Sequence, residues 1–159
     1  SVKTLSIWQP YASLIAIKAK QYETRGWATK YRGPLLIHAA AKSPAAVYKI
    51  LDNDVVGEIE KALAPLGSTS ENIGHLRAKC LPLGKVIAIA NLTDCIEITP
   101  AFAASVSAEE RAFGDWTLGR YAWKLESVNP LPFFIPAKGQ QGIWNFQTDK
   151  INEKGEYTQ

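Results

Sequence analysis

Metal-binding and cross-linking chemistry is almost absent from this chain. Its 159 residues include two cysteines, Cys80 and Cys95, and two histidines, His38 and His75. These are too few and too far apart for a disulfide framework or a four-ligand zinc site, so free, buried thiols and no metal or other cofactor are expected. No apolar run reaches the ~18 residues that a membrane-spanning helix needs. The opening SVKTLSIWQP lacks the long apolar stretch of a secretory signal, and a cytoplasmic setting is the expectation. A P-loop, a G-x-S-x-G elbow and an H-E-x-x-H pair are missing, as are internal repeats and interdomain linkers. What remains is an ordinary globular composition, 47% hydrophobic and 21% charged, ample for a core and too apolar for disorder. A single domain over residues 1–149 is expected, followed by a loose polar tail over 150–159.

The net charge of +3 permits a nucleic-acid partner without demanding one. Its distribution says more. Between Lys18 and Lys49 lie seven bases (Lys18, Lys20, Arg25, Lys30, Arg32, Lys42, Lys49) and one acid, Glu23, so this segment is +6 and the rest of the chain −3. A near-neutral chain that gathers its positive charge in this way presents an anion-facing side.

Hydrophobic periodicity predicts a short strand at Lys3–Ile7 and a helix opened by Trp8-Gln9-Pro10, with Pro10 at the first helical position and Tyr11, Leu14, Ile15 and Lys18 on one face. Extended structure follows at Gln21–Arg25, then a glycine-bracketed loop over Gly26–Pro34 and a strand at Leu35–Ala39. Ser43-Pro44 reads as a helix start, and a second helix carrying Ile59 and Leu63 ends at Pro65 and Gly67. The polar stretch 67–82 holds at most one helical turn. Val86–Ile98 is too long for an average strand and is expected to bend near Asn91–Asp94. Short helix or irregular structure covers Thr99–Phe113, and Arg120–Val128 alternates cleanly. The three prolines of Asn129–Pro136 restrict it to an edge strand or loop, and Gly142–Phe146 is the last strand.

Four constellations carry chemistry. In Lys20-x-x-Glu23-x-Arg25, alternation puts Glu23 and Arg25 on one strand face, where a bidentate pair would orient the guanidinium toward a phosphate or base edge. The plain alternative is a solvated ion pair. Around Trp8-Gln9-Pro10-Tyr11, Gln9 suits a base edge, while Trp8 and Tyr11 are stacking platforms or core. Trp27, Lys30 and Arg32 interleave an aromatic with cations in one loop, with His38 just beyond as a titratable neighbour. Lys138 opens the glycine-bounded loop KGQQG as a further contact.

The run LSIWQPYASLIAIKAKQYETRGWATKYRGPLLIHAA resembles the ASCH domain family of the PUA-like superfamily, whose signature is G-x-K-x-x-E-x-R. Lys20, Glu23 and Arg25 match that signature, and Lys18 stands where it has glycine. GRYAWKLESV and PAKGQQGIWNF also resemble family strands, so the likeness spans most of residues 3–147. It implies an α+β fold, a PUA-like small mixed β-barrel with helices packed around it. It also implies that the cleft between the first helix and the barrel binds single-stranded RNA or other nucleic acid, or a modified base or nucleoside. Under that reading the contacts are Gln9, Tyr11, Lys20, Arg25, Trp27, Lys30, Arg32, His38 and Lys138. Some small members are hydrolases of acetylated cytidine that use the signature Lys and a Thr where this chain has Glu23; others are associated with RNA cleavage. The enzyme alternative is therefore an amidohydrolase on acylated cytidine or a metal-independent ribonuclease, with Lys20 as general base and Glu23 as its proton acceptor or orienter. A third reading is an interaction domain for an acidic protein.

Overall fold

The computed structural model describes residues 1–66 and 77–158. Alternation in the opening segment produces β1 (Val2–Ile7), with Leu5 and Ile7 in the main core. Next come a short helix α1 (Tyr11–Ala16), then β2 (Tyr22–Arg25) and β3 (Gly33–Ala39). Strand β3 lies parallel to β1, aligned Ser6 with His38, and α1 and β2 form the crossover that a parallel pair requires. Ser43 Oγ accepts from Ala45 N at 3.3 Å and starts α2 (Pro44–Tyr48); α3 (Asn53–Ala62) buries Ile59. The stretch expected to hold a helical turn is described only from residue 77, where a 3-10 turn runs Arg77–Cys80; residues 67–76, with His75, lie outside the described residues.

Two long strands complete the frame, β4 (Lys85–Glu97) and β5 (Tyr121–Pro136), separated by two short helices, α4 (Pro100–Ser105) and α5 (Ala108–Ala112). The register of β4 against β5 shifts at Ile89/Asn91 and Leu92/Asp94, the bend expected there. It shifts again at Val86/Ala88, where residues 131–134 of β5 bulge away and leave Phe133 and Phe134 exposed. Strand β2 pairs with β5 only over Tyr121–Lys124, so the later prolines of β5 lie where no second neighbour asks for their missing N–H groups. The last strand, β6 (Ile143–Phe146), pairs antiparallel with β1.

The α+β expectation holds, and a closed barrel is not confirmed among the described residues. The six strands form one open sheet in the order β2–β5–β4–β3–β1–β6, with β2 and β6 as its edges. A side chain reaches across from β2 toward β1: Arg25 Nη2 donates to the Ser6 carbonyl at 2.9 Å. The gap that this contact spans is where the cleft lies.

Helix α1 is buried on nearly every side. Ala12, Ile15 and Ala16 join the sheet cluster of Leu35, Ile37, Leu92 and Trp123, whereas Leu14 joins Tyr48, Ile59, Leu63 and Phe113 on the helical side. Six residues do not hold a helix in water, so packing stabilises it; truncating Leu14 to Ala costs about 2–5 kcal/mol. The helix ends in a Schellman turn: Lys18 N donates to Ile15 O and Ala19 N to Leu14 O, both at 2.9 Å. Lys18 therefore lies beyond the helix rather than on its face, at φ 68°, a left-handed conformation natural to the signature's glycine.

The sheet's second face carries another cluster, Val2, Leu36, Val86, Leu131 and Ile151. The polar tail is not loose: Ile151 is 3% exposed and pairs with Tyr157, and Gly155 packs tightly on Pro34 and Ile89. Both cysteines are free, but Cys80 is exposed and Cys95 half-buried, because one ends a 3-10 turn and the other follows a strand bulge. Among the described residues no helix is long and apolar enough to cross a membrane, and no group of His, Cys, Asp and Glu is placed to hold a metal.

Candidate functional site

The exit from α1 determines what the signature residues do. The Schellman turn reverses the chain before β2 begins, and Lys20, at the junction rather than in the strand, turns inward and is 1% exposed. Its Nζ donates to the Phe113 carbonyl, lies 3.9 Å from Glu23 Oε1 and sits 5.7 Å from the centre of the Tyr11 ring. Burial pushes the Lys20 amine below the ordinary lysine value; Glu23 and Glu110 oppose that shift, while Arg25 adds to it.

Glu23, 8% exposed, stands between two cations. Arg25 Nε and Nη2 both donate to its Oε2, at 3.1 and 3.0 Å. The pair is thus a fork onto one oxygen, not the bidentate arrangement expected, and Oε1 is left for Lys20. Nη2 also donates to the Ser6 carbonyl, and Nη1 makes no hydrogen bond among the described residues. Glu110 supports the same junction, accepting from Gln21 N at 2.8 Å; burial raises its carboxyl, against the pull of Lys20 and the backbone N–H groups of Gln21 and Tyr22. Tyr11 is half-buried, and burial together with the nearby Glu23 raises its phenol.

Tyr11, Glu23 and Arg25 form one wall of a cleft of about 630 Å3. The opposite wall comes from distant sequence: Phe113, Gly114, Asp115 and Arg120, with Gln140, Gln141 and Gly142 at one end. Arg120 Nη2 donates to the Thr24 carbonyl at 3.2 Å, and its Nε lies 3.5 Å from Asp115 Oδ2. Thr24 Oγ1 accepts from Asp115 N at 3.2 Å. A Cβ on Gly114 would come within 3.2 Å of Lys20 Nζ and 3.1 Å of Thr24 Oγ1, so a glycine here leaves room for both groups. At the mouth stand two exposed indoles, Trp8 at 47% and Trp27 at 41%, the latter edge-on to the buried Trp123.

Of the residues expected to make contacts, Tyr11, Arg25 and Trp27 line this cleft together with Glu23, and Lys20 lies just behind them. The others stand elsewhere. Gln9 is fully buried: its Oε1 accepts from Ser13 N at 2.9 Å, and its Nε2 donates to Ser13 Oγ at 2.7 Å and to the Pro82 carbonyl at 3.0 Å, leaving nothing for a ligand. His38 is 1% exposed; its Nε2 donates to the Ala137 carbonyl at 2.8 Å, which leaves Nδ1 to accept from Ser6 Oγ at 2.9 Å. Burial lowers its pKa, opposed by the bond to Ala137. Arg32 donates to the Thr29 and Tyr31 carbonyls of its own loop, and neither it nor Lys30 lines the cleft. Lys138 is exposed, two residues before Gln140.

Thr24, Gly114, Asp115, Arg120, Gln140 and Gln141 were not foreseen in this role. No local pattern marks residues 114–120: Arg120 reaches the cleft only because β5 pairs with β2. The glycines of KGQQG were the one available signal. A Cβ at Gly139 would come within 2.7 Å of Ser6 Oγ and 2.8 Å of the His38 ring, so only glycine lets this loop lie close enough to present its two glutamines.

A family model of the ASCH domain matches residues 5–136. No curated protein matches the chain. Among solved structures, an ASCH protein from Zymomonas mobilis is 15% identical, covering 85% of this chain and 73% of that one, with a TM-score of 0.46. A tyrosine-to-phenylalanine mutant from Zymomonas mobilis is 14% identical over 85% of this chain and 75% of that one, TM-score 0.45. A serine-to-alanine mutant from the same organism is 14% identical over 85% and 73%, TM-score 0.42.

Proposed function

This chain belongs to the ASCH domain family, and we propose that its cleft recognises single-stranded RNA or a modified base or nucleotide. The observation that carries the reading is the pairing of two exposed indoles, Trp8 and Trp27, with a floor of internally paired charges in a cleft of about 630 Å3. That volume lies in the range of small-molecule sites, and a base has a flat apolar face for an indole and a polar edge for the floor. Arg25 Nη1 and the carboxamides of Gln140 and Gln141 supply the edge contacts. Glu23 holds the guanidinium in place, and Lys20 acts through Glu23 as a positioning residue.

Two measurements test this reading: fluorescence anisotropy with labelled single-stranded RNA, and quenching of tryptophan emission by ribonucleosides, both at low salt. Binding in either, weakened by Trp27→Ala, is the expected result. No binding in both would sink the proposal.

The buried amine of Lys20, beside Glu23, favours a second reading, a hydrolase in which that amine serves as general base. Burial favours the free amine over the ammonium, and a Cβ on the cleft-lining Gly114 would come within 3.2 Å of Nζ, so the amine lies directly behind that glycine. Incubation with acetylated cytidine and with RNA decides it: product released equally well by Lys20→Ala removes Lys20 from any mechanism.

A further inference from the structure

The charges that line the cleft cancel. Glu23 pairs with Arg25 at 3.0 Å and Asp115 with Arg120 at 3.5 Å. An interior so balanced suits an uncharged base and offers no net attraction to a phosphate. Positive charge without an acid partner stands instead close along the chain to lining residues. Among the described residues neither Lys42 nor Lys138 forms an ion pair. Each lies two residues along the chain from a cleft-lining position, Ala40 and Gln140, which keeps its Cα within about 7 Å of the lining residue.

Lys42 is also held in place. Its Nζ sits 3.6 Å from the centre of the Trp8 ring, a cation–π contact on the indole that forms the cleft wall. A base stacked on an indole lies at about the same separation, so a ligand on that face would displace the ammonium, and one on the opposite face would leave it a ring's thickness away. In the first case the released ammonium is free to turn toward a phosphate on the ligand, and in the second it stays at the ring on which the base stacks. Three other cations of the basic segment are engaged elsewhere: Arg32 faces Asp94 at 3.9 Å and its own loop, and Lys20 and Arg25 are engaged by Glu23.

We propose that Lys42, seated on Trp8, reads the phosphate of a nucleotide unit whose uncharged base lies in the cleft, with Lys138, next to the Gln140 end, as a second cation. The inference rests on the nucleobase reading above and adds the chemical class it prefers, phosphorylated over unphosphorylated.

Isothermal titration of the full chain with the four ribonucleosides and their 5′-monophosphates tests it, in wild type, Lys42→Met and Lys138→Ala. For whichever base binds, the monophosphate is expected to be about fivefold to tenfold tighter than the nucleoside at low salt, with the margin shrinking as salt rises. Lys42→Met keeps the aliphatic stem, so it should leave the nucleoside within about twofold of wild type and remove most of the phosphate advantage. Lys138→Ala should remove a smaller part. A trinucleotide without terminal phosphates separates the sources: if Lys42→Met weakens it as well, the group being read is a phosphodiester, and if only the monophosphate weakens, it is a terminal phosphate. Equal affinity of nucleoside and monophosphate in wild type, or an advantage that survives in Lys42→Met, overturns the inference and leaves the nucleobase reading standing. Absence of binding by every nucleoside and nucleotide overturns both.

Discussion

Two parts of one basic segment behave in opposite ways. Around Lys20–Arg25 the charges are buried, aimed and mutually engaged: one carboxylate serves an ammonium at 3.9 Å and a guanidinium at 3.0 Å. Around Lys30–Arg32 they are exposed, and Arg32 donates to carbonyls of its own loop. The same composition therefore carries two kinds of consequence. Buried charges are coupled to stability and to the geometry of the cleft, whereas exposed ones are screened by solvent and change little when removed.

The sharpest way to break this contrast is Glu23→Gln. It leaves a buried ammonium and a half-buried guanidinium without their counter-charge, and a loss of about 3–5 kcal/mol is expected, read as a fall of roughly 10 °C in the thermal midpoint. A loss below ~1 kcal/mol would mean that the acid is as dispensable as a surface one. Next in size is Trp27→Ala, which should weaken base binding about tenfold in a quenching titration while leaving the fold intact.

The third test uses pH. Folding lowers the Lys20 pKa, so between the folded value and the ordinary 10.5 the unfolded chain holds more protons than the native one. Stability from this group therefore rises with pH through that window. Urea midpoints measured toward pH 10 should rise more in wild type than in Lys20→Met, and parallel curves would show that Lys20 titrates normally. A fourth test concerns the turn that aims this floor. Lys18→Gly relieves the left-handed strain at φ 68° at the cost of a looser unfolded chain, for a net gain of about 0.5 kcal/mol in denaturant unfolding. At the small end, Lys30→Ala and Arg32→Ala should each stay within about 0.5 kcal/mol of wild type in stability; a larger loss in Arg32→Ala would promote its 3.9 Å contact with Asp94 to a structural role.

Much of the fold was legible because the signals were local. Alternation located β1, β2 and the first part of β5, Ser43-Pro44 marked the start of α2, and the excessive length of Val86–Ile98 announced the bends of β4. The open sheet was not legible, since alternation along a strand is silent about whether two edge strands meet. The tail misled for a similar reason: one apolar residue, Ile151, anchors a polar stretch once a partner face exists for it.

The site divides the same way. Glu23, Arg25, Tyr11 and Trp27 stood out by residue type and spacing, and all four line the cleft that the family resemblance implied. Gln9 and His38 looked equally chemical in sequence, but their polar atoms are taken by neighbours that only folding supplies, Pro82 for one and Ala137 for the other. Arg120 and Asp115 had no signal, because their part in the cleft depends on the pairing of Arg25 with Tyr121 across β2 and β5.

By itself the sequence determined the order of elements, the basic segment, and the alternation that puts Glu23 beside Arg25, because each depends on neighbours within a few residues. Tertiary structure alone decided which of those charges would be buried and which wall would face them. Burial and long-range pairing are properties of packed surfaces, and a lysine such as Lys20 acquires its depressed pKa only when Phe113 and α1 close around it, against the pull of Glu23 and Glu110.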